Sequence, residues 1–347
     1  MAEMNVYQRD MQLIFQQNLP WDMLSDCNIL VTGATGLIGG CMVETLMTNP
    51  KKDYHVYASG RNEARANLRF KAFVDDDRFH FFTHDVLSPL ECDIRFDYII
   101  HAASNASPNF FTKKPVEIIL SNIDGVANLM EYGIRHGMRR FLYVSSGEVY
   151  GEGDGRMFTE DYSGYVNSIS PRSCYPSSKR AAETLCVSYA SEYGADAVIV
   201  RPCHIYGPHF TENDNRVYAQ FIRNVLRNED IVMKSTGEQF RSWCYVVDCV
   251  SALFHILLKG EKGEAYNVAD ENSNITIKEL AEIVASIGGK KVVVDIPTVE
   301  ERCGYNKVMK SVFSTKKLKA LGWDCNGTIK DKILATINAM KYESYSQ

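Results

Sequence analysis

Residues 28–39 read Asn-Ile-Leu-Val-Thr-Gly-Ala-Thr-Gly-Leu-Ile-Gly, and the expected fold follows from this segment. Its apolar start indicates a buried strand, its glycines indicate a turn, and Met42, Val43 and Leu46 beyond it indicate an amphipathic helix. A strand, a glycine turn and a helix in this order are the context in which a G-x-x-G-x-x-G string binds a dinucleotide. The alternative is an ordinary glycine-rich turn between a strand and a helix.

Each glycine of this turn has its own expected role. Gly33 permits the tight turn, Gly36 lets the backbone approach a pyrophosphate, and Gly39 lets the helix pack closely on the strand. The phosphates would then bind free N–H groups at the positive end of the helix. We therefore expect the turn to supply a set of cofactor contacts, namely Gly33, Thr35, Gly36, Leu37, Ile38 and Gly39.

Apolar strands alternate with helical patterns through the first half of the chain. The predicted strands are 28–31, 55–58, 79–82, 98–101, 141–145 and 197–201, and the predicted helices are 40–47, 63–72, 115–136 and 177–193. This βαβ repetition predicts an α/β fold with a Rossmann-type, doubly wound parallel sheet. Near the start of the chain, Tyr7, Met11 and Ile14 have the spacing of a short leading helix.

The elements after residue 202 are shorter and less regular. They comprise helical patterns at 217–227 and 277–287, strand patterns at 231–234 and 265–268, and a mixed segment at 243–259. We expect an N-terminal extension at 1–26, an NAD(P)-binding Rossmann domain at 27–202 and a smaller α/β substrate lobe at 203–347. Parts of the chain are expected to cross between the two lobes.

The composition excludes several classes of function. A net charge of −5 argues against binding to nucleic acid, and no apolar run approaches the roughly 18 residues that cross a membrane. Met1 to Pro20 lacks the pattern of a secretory signal. The ten cysteines include no Cys-x-x-Cys pair, which favours buried thiols in a reducing compartment over disulfides or a metal site. We therefore expect a cytoplasmic protein without a metal.

The end of the second strand bears on the 2′ group of the cofactor. An acid about twenty residues past the glycines marks NAD, and segment 56–62 contains none. Ser59 and Arg61 are suited to a 2′-phosphate, which favours NADP; the alternative is a solvent-facing turn beneath an adenine. Asp85 is expected to contact the adenine amino group. Three further residues after the third and fourth strands are expected to line the site, namely Val86, Ala102 and Ala103.

A second motif, Tyr175-Pro-Ser-Ser-Lys179, carries catalytic residue types at helical spacing, because residues four apart share one face of a helix. The lysine is expected to lower the pKa of the tyrosine and to hold the nicotinamide ribose. The phenol can then remove a proton from a sugar hydroxyl as hydride leaves the same carbon. The motif follows a dinucleotide turn and a strand ending at Ser145, and the Ser146 hydroxyl is suited to complete the relay. Together these signals are typical of a short-chain dehydrogenase/reductase.

Glu148 stands two residues beyond Ser146 and is expected to face the same pocket. Its carboxylate is suited to act as a base on a carbon next to a transient ketone. The alternative is a salt-bridged or helix-capping glutamate on a loop. The residues alone leave both interpretations open.

Longer segments resemble the extended short-chain dehydrogenases that modify nucleotide sugars, and among them the UDP-glucuronate decarboxylases. The matching segments lie in collinear order between residues 27 and 325 and include 101–109, 145–151, 165–175, 179–184, 213–217 and 241–245. The resemblance implies a Rossmann sheet with a small substrate lobe and a homodimer formed through a helical bundle. It also implies a nucleotide-sugar substrate and a tightly held NAD that is reduced and reoxidised within one turnover.

The resemblance further implies roles for single residues. Tyr175 is the base, Lys179 is its electrostatic partner, Ser146 replaces a threonine often found there, and Glu148 matches the active-site glutamate of decarboxylases and 4,6-dehydratases. Asn122 matches a residue near the cofactor. The residues matched to substrate binding are Ser107, Asn215, Arg216 and Arg241. The alternatives are that Arg216 only solvates a helix start and that Arg241 pairs with an internal acid.

One departure from this family pattern bears on the reaction. Residue 147 is glycine, where 4,6-dehydratases usually carry an aspartate that protonates the departing hydroxyl and decarboxylases usually carry a serine. A ketone at C4 makes a C6 carboxylate a β-keto acid, which loses carbon dioxide easily, whereas loss of water without an acid is harder. We therefore expect decarboxylation of a nucleotide-linked uronate. The alternatives are 4,6-dehydration, 4-epimerisation and a non-catalytic cofactor-binding protein.

Overall fold

The computed structural model describes residues 5–106, 108–212, 214–296 and 309–345. Its strands are β1 (Asn28–Thr32), β2 (His55–Gly60), β3 (Phe79–Thr83), β4 (Tyr98–His101), β5 (Arg140–Val144), β6 (Ala197–Pro202), β7 (His204–Tyr206), β8 (Ile231–Met233), β9 (Phe240–Tyr245), β10 (Ala265–Val268), β11 (Asp270–Thr276), β12 (Val292–Val294) and β13 (Lys310–Ser311). Its helices are α1 (Val6–Ile14), α2 (Leu37–Thr48), α3 (Glu63–Arg69), α4 (Pro108–Lys113), α5 (Pro115–His136), α6 (Cys174–Glu192), α7 (Val217–Leu226), α8 (Val246–Lys259), α9 (Ile277–Gly288), α10 (Lys316–Ala320) and α11 (Ile329–Tyr345). Among these described helices, none combines the length and the apolar character needed to cross a membrane.

Seven parallel strands form the larger sheet, in the order β10-β6-β5-β4-β1-β2-β3. The predicted doubly wound α/β fold is therefore confirmed. Parallel strands place their carboxyl ends on one edge, so the turns that follow β1 to β5 meet there. β10 comes from beyond residue 202, yet it lies beside β6 at the end of this sheet.

The strands predicted in the first half are all present, with ends within two residues of the predicted ones. The helix predicted over 115–136 has those bounds in α5. Helices α2 and α6 begin three residues earlier than predicted, because the glycine turn and a 3₁₀ turn at Pro171–Ser173 lead directly into them. The polar sequence of β11 gave no strand signal.

Both faces of the sheet are buried, which explains why its strands are apolar runs without polar alternation. On β1, Ile29 and Val31 join the core on the side of α2 and α8. Leu30 points to the opposite face, where it joins a second cluster with Val126 of α5 and Ala182 of α6. Helices therefore cover both sides, and the carboxyl edge of the strands remains for a ligand.

Two small sheets follow in the second half of the chain. In the first, β9 pairs with β7 and β13 in parallel and with β11 in antiparallel orientation. In the second, β12 pairs with β8. The first sheet matters for the site, because it joins the segments that carry His204, Arg241 and Phe313.

The predicted leading helix is confirmed as α1. Asn5 caps it, with Asn5 and Gln8 exchanging side-chain to backbone hydrogen bonds. Tyr7, Met11 and Ile14 are buried where α1 meets α2, α8 and α11. A nine-residue helix is marginal in isolation, and each buried side chain of this size contributes about 1.5–3 kcal/mol. Packing on the core therefore holds α1 in place.

Candidate active site

The glycine turn after β1 has a shape that fits a dinucleotide. Gly33 has a φ of +66°, in the left-handed region, and a Cβ there would lie 2.6 Å from the carbonyl oxygen of Ala102. Helix α2 starts directly after Gly36 without a side-chain cap. The first N–H groups of α2 therefore remain for an anionic ligand. The small side chains of Ala102 and Ala103, after β4, add little bulk at this edge.

The residues expected around the adenosine lie along the same edge. The Arg61 guanidinium is 3.3 Å from the Glu117 carboxylate and 3.7 Å from the Asp85 carboxylate. The side chain of Ser59 is buried, and its backbone carbonyl accepts a hydrogen bond from the Ala34 N–H at 3.0 Å. A 2′-phosphate would therefore have to compete for an Arg61 that already contacts two carboxylates. Of the remaining residues expected here, Thr35 lies beside Gly60, Leu37 and Ile38 are half-buried, and Val86 is buried.

Tyr175 lies in the first turn of α6, near the end of β5. Its side chain is buried, and the side chains of Ser146 and Ser104 are near enough to its phenol to lower the pKa of that group. Ser146 directly follows β5, and its Oγ accepts a hydrogen bond from the Glu148 N–H at 3.2 Å. The structure therefore brings Tyr175, Ser146 and Glu148 together. Ser104 was not expected here, although it lies within the 101–109 segment that the resemblance singled out.

The pKa of Tyr175 departs from the expected direction. Burial and, to a smaller extent, the Glu148 carboxylate raise this pKa to about 12, although Ser146, Ser104 and Arg216 lower it. Lys179 is not among these main causes, and its Nζ lies 5.8 Å from the centre of the Tyr175 ring. The predicted lowering by Lys179 is thus not among the main causes, and the net pKa is raised. The phenol loses its surrounding water, and that loss outweighs the charge of the lysine.

Lys179 is itself fixed at the end of β5. Its Nζ donates a hydrogen bond to the Val144 carbonyl oxygen at 2.9 Å and lies 4.7 Å from the centre of the Tyr143 ring. Burial lowers the pKa of this lysine to about 7, against the smaller opposing effects of Glu183 and Cys186. A group balanced in this way changes its protonation readily when a charged ligand binds beside it.

Asn122, on α5, links the two sides of the tyrosine site. The Ser104 hydroxyl donates to Asn122 Oδ1 at 2.8 Å, and Asn122 Nδ2 donates to Ser178 Oγ at 2.9 Å. Ser178 in turn donates to the Cys174 carbonyl oxygen at 2.6 Å, in the first turn of α6. The buried amide of Asn122 thus positions both Ser104 and the start of the helix that carries Tyr175.

Glu148 is held by an arginine that the sequence analysis did not single out. Arg172 donates two hydrogen bonds to its carboxylate, both at 3.0 Å. The Arg172 guanidinium lies 4.6 Å from the centre of the Phe111 ring, and Phe111 stacks on Tyr175 at 4.6 Å. Glu148 is therefore salt-bridged and at the same time close enough to shift the pKa of Tyr175. Arg172 stands three residues before Tyr175, in the 165–175 segment, which was its signal.

Gly147 is explained by a neighbour from the second half of the chain. A Cβ at position 147 would lie 2.2 Å from Cζ of the Phe313 ring. Phe313 is buried against Tyr150 and Phe158, and its N–H donates to Ser242 Oγ at 3.1 Å. An aromatic ring thus occupies the space that a serine or aspartate side chain at position 147 would need.

Two arginines lie near His204, beside the small sheet that contains β7 and β9. Arg241 is buried, and burial lowers its pKa to about 10. Burial, Arg241 and Arg216 together lower the pKa of His204 to about 4, and His204 Nδ1 has no hydrogen-bond partner among the described residues. Arg216 pairs with Asp214 at 2.9 Å. His204 was missed because a single histidine in an apolar segment gives no functional signal.

Two further residues are expected to bind substrate. Asn215 is exposed, and Ser107 lies outside the described residues. Within the described parts of the chain, no group of three or more His, Cys, Asp or Glu side chains could hold a metal ion.

Comparisons with known proteins point in one direction. The family model described as "NAD dependent epimerase/dehydratase family" matches residues 29–269. UDP-glucuronic acid decarboxylase 6 of Arabidopsis thaliana is 37% identical to this chain over 300 residues, which are 86% of this chain and 84% of the relative.

Solved structures give the same picture of the fold. UDP-glucose 4-epimerase of Thermotoga maritima, solved with UDP-glucose, is 25% identical with a TM-score of 0.76, covering 92% of this chain and 99% of that one. dTDP-glucose 4,6-dehydratase of Bacillus anthracis, solved with NAD, is 23% identical with a TM-score of 0.77, covering 91% and 97%.

Proposed function

This chain belongs to the NAD dependent epimerase/dehydratase family, and on that premise we propose that it removes carbon dioxide from a nucleotide-linked uronate of the UDP-glucuronate type. The observation that carries the choice of reaction is the Phe313 ring in the space beside Gly147. It leaves no room for the acid that elimination of water needs. The relative from Arabidopsis thaliana, a decarboxylase by name, supports the same choice.

When bound, NAD, the cofactor of this family, would supply a hydride acceptor for the oxidation of the sugar and a hydride donor for its later reduction. We assign its pyrophosphate to the glycine turn, where Gly33 is left-handed and α2 is uncapped. Asp85 and Val86 are assigned to the adenosine end, and Asn122 and Lys179 to the nicotinamide end. The small side chains of Ala102 and Ala103 and the uncapped start of α2 fit such a ligand. The ion pairs of Arg61 favour NAD over NADP.

In this proposal Tyr175 removes the proton from the C4 hydroxyl of the sugar. Its phenol has a pKa raised to about 12 in the protein chain alone, so the phenolate form needs a positive charge beside it. Lys179 and the oxidised nicotinamide would both provide such a charge at the step in which the proton is removed. Ser146 and Ser104 keep the phenol oxygen directed at the sugar.

The ketone formed at C4 then determines the next step. The C6 carboxylate becomes that of a β-keto acid, the C5–C6 bond breaks, carbon dioxide leaves, and the electron pair remains as an enolate. The enolate takes a proton at C5, and the C4 ketone is reduced back to a hydroxyl, whose proton Tyr175 returns. We place Glu148 and Arg172 beside C5, because their pair lies next to the Tyr175 ring through Phe111.

The charged groups of the substrate need positive partners. We propose that Arg241 binds the uronate carboxylate and that Arg216, with Asn215, binds the nucleotide. Burial lowers the pKa of Arg241 to about 10, which shows that its charge is costly there, and an anionic ligand would remove part of that cost. His204, kept neutral beside these arginines, is a third candidate contact.

The pair Gly147 and Phe313 allows a direct test of whether the Phe313 ring excludes a side chain at position 147. We expect Gly147→Ser to be destabilised by about 1–3 kcal/mol, since its Cβ meets the Phe313 ring. Phe313→Ala removes a buried ring and is itself destabilising, but in that background the added Gly147→Ser change should cost less than it does beside the intact ring, as measured by urea unfolding. An equal cost of Gly147→Ser in the two backgrounds would show that the two residues do not compete for space.

4-Epimerisation is the second candidate. It needs only Tyr175, Ser146, Lys179 and a sugar that can rotate, and a 4-epimerase of 25% identity shares the fold over 92% of this chain. It makes no use of Glu148 or of a buried arginine for a carboxylate. The arrangement of Arg241 therefore favours decarboxylation.

The deciding experiment incubates the purified full chain with UDP-, dTDP-, GDP- and CDP-linked sugars and uronates and reads the mass of each product. We expect UDP-glucuronate to lose the mass of carbon dioxide and the neutral sugars to stay unchanged. Loss of water would establish 4,6-dehydration, and a new isomer of unchanged mass would establish epimerisation. Tyr175→Phe is the control that must abolish any change.

The same proposal covers the organisation of the protein. We assign residues 27–202 to the cofactor and 203–347 to the nucleotide sugar, with β10 and α8 returning to the large sheet.

We also propose a homodimer through α5 and α6, because Ile119, Leu120 and Val187 leave apolar groups exposed on those helices. The nine described cysteines are free thiols, which supports a cytoplasmic location.

A further inference from the structure

We propose that the N-terminal helix α1 holds the dinucleotide-binding turn in its binding conformation through three side chains, Tyr7, Glu44 and Arg69, which end on the Gly36 carbonyl oxygen. Tyr7 is then a positioning residue for the cofactor. The proposal rests on the family's use of NAD and is independent of which sugar reaction the enzyme performs.

The contacts form an unbroken chain. The Tyr7 hydroxyl donates to Glu44 Oε2 at 2.7 Å. Nε and Nη2 of Arg69 donate to the Glu44 carboxylate at 2.8 and 3.0 Å, and Nη1 of Arg69 donates to the Gly36 carbonyl oxygen at 2.7 Å. All three side chains are buried. Each link is therefore protected from competition by water.

Geometry carries the effect from Gly36 to the ligand. The Gly36 carbonyl and the Leu37 N–H belong to one planar peptide unit, in which the two groups point in opposite directions. Fixing the carbonyl oxygen on Arg69 thus fixes the direction of the Leu37 N–H. That N–H is one of the first of α2, which have no partner within the helix. Arg69 therefore aims a phosphate donor without touching the phosphate.

The sequence of α2 accommodates this arginine. A Cβ on Gly40 would lie 2.0 Å from Cζ of Arg69. Glycine at position 40 thus makes the space in which the guanidinium reaches back to Gly36. This role differs from the close packing expected of Gly39, whose Cβ would meet the Gly33 carbonyl oxygen at 2.4 Å.

The charges explain why Tyr7 matters to the chain. Burial raises the pKa of Glu44, but Arg69, His209 and the hydrogen bond from Tyr7 outweigh burial, and the net pKa is lowered. A buried ion pair depends on having its remaining hydrogen-bonding positions filled. Without the Tyr7 hydroxyl, one oxygen of the Glu44 carboxylate loses a hydrogen-bond donor. We then expect the Glu44–Arg69 pair to shift. A shift of Arg69 removes one of the two donors to the Gly36 carbonyl oxygen and leaves only the Gly40 N–H, at 3.0 Å.

The test compares Tyr7→Phe with Tyr54→Phe in the full chain. Tyr54 is the matched control, because it is also a buried tyrosine, and its hydroxyl donates to the Leu46 carbonyl oxygen near the other end of α2, at 2.9 Å. Both variants keep the ring and lose one buried hydroxyl. The readouts are the NAD dissociation constant of the NAD-stripped protein, measured by calorimetry, and the thermal midpoint.

We expect Tyr7→Phe to raise the NAD dissociation constant about fivefold, the lower end of typical coupling between sites. Tyr54→Phe should leave it unchanged, with a similar drop in thermal midpoint. Amide hydrogen exchange of the Tyr7→Phe protein should be faster at Leu37 and Ile38. An unchanged NAD dissociation constant in Tyr7→Phe, or the same increase in both variants, would overturn the proposal. Tyr7 would then contribute only to stability.

Discussion

Two glutamate–arginine pairs lie near the candidate site, and they differ in burial. In the pair that bonds to the glycine turn, which we call the back pair, the Glu44 and Arg69 side chains are 8% and 4% exposed, and Tyr7 and Gly36 complete their bonding. In the pair near Tyr175, the front pair, the Glu148 and Arg172 side chains are 32% and 33% exposed, and Arg172 lies over the Phe111 ring. A glutamate–arginine pair that is shielded from water can hold the backbone in place, whereas a pair that water reaches is accessible to a ligand.

The largest expected effect concerns the front side. Tyr175→Phe removes the proposed proton acceptor, and we expect turnover to fall by about 10³-fold or more, within or above the usual range for acid–base catalysis. Binding of NAD and of the nucleotide sugar should change little, because the ring and its packing on Phe111 remain. Initial rates and calorimetric titrations measure both. Turnover near the wild-type level would remove Tyr175 from the chemistry.

The sharpest test of the comparison replaces each glutamate by glutamine. Glu44→Gln leaves Arg69 buried without its counter-charge, and we expect a loss of about 3–5 kcal/mol in the free energy of unfolding. Glu148→Gln disrupts a half-buried pair that remains open to water, worth about 1 kcal/mol or less, but should slow turnover about 100-fold and leave reduced cofactor or 4-keto product. Urea unfolding and nicotinamide absorbance give the two readouts.

Arg172→Met is the control for the front pair. If Glu148 serves only as the partner of Arg172, both Glu148→Gln and Arg172→Met should give the same small loss of stability and no intermediate. A wild-type rate for Glu148→Gln would make this glutamate structural and would favour epimerisation.

The next effect is a dependence of stability on pH that arises on the substrate side. The pKa of His204 is about 4 in the folded protein, against 6.5 for a free histidine. Between these values the unfolded chain binds a proton that the folded chain does not. The contribution of His204 is therefore complete above pH 6.5 and is lost as the pH falls toward 4, by at most about 3 kcal/mol.

This dependence is measured as the difference between the wild type and His204→Asn, since His101 and other buried histidines contribute equally to both. We expect the wild type to lose more stability than the variant between pH 7 and pH 4.5. Parallel curves for the two proteins would show that His204 is not destabilised by protonation.

The smallest expected effect is at the adenosine end. Arg61 is 57% exposed and contacts Asp85 and Glu117, and exposed ion pairs contribute little. Arg61→Ala should therefore change the NAD dissociation constant by less than about twofold. If the wild type bound NADP as tightly as NAD, and the variant lost NADP binding alone, Arg61 would be a 2′-phosphate ligand after all.

Most of the large sheet and the positions of Gly33, Tyr175 and Lys179 within their elements could be predicted from the sequence, because these depend on local patterns. Tyr175 and Lys179 are four residues apart on one helix, and Gly33 lies in a turn between adjacent elements. Arg172 and Phe313 were missed, because their role depends on contacts between distant segments. The raised pKa of Tyr175 could not be predicted for a related reason: spacing predicts which charges are near, but not how much water is lost on burial.

The return of β10 to the large sheet has a consequence for biosynthesis. β6 ends at Pro202, and its outer neighbour begins only at Ala265. At roughly 5–20 residues per second, a ribosome exposes the edge of β6 for several seconds before its neighbour emerges. An unpaired apolar edge is prone to aggregation. A fragment truncated at residue 202 should thus precipitate or recruit chaperones. The nascent chain depends on β10, from its second half, to cover the edge of β6.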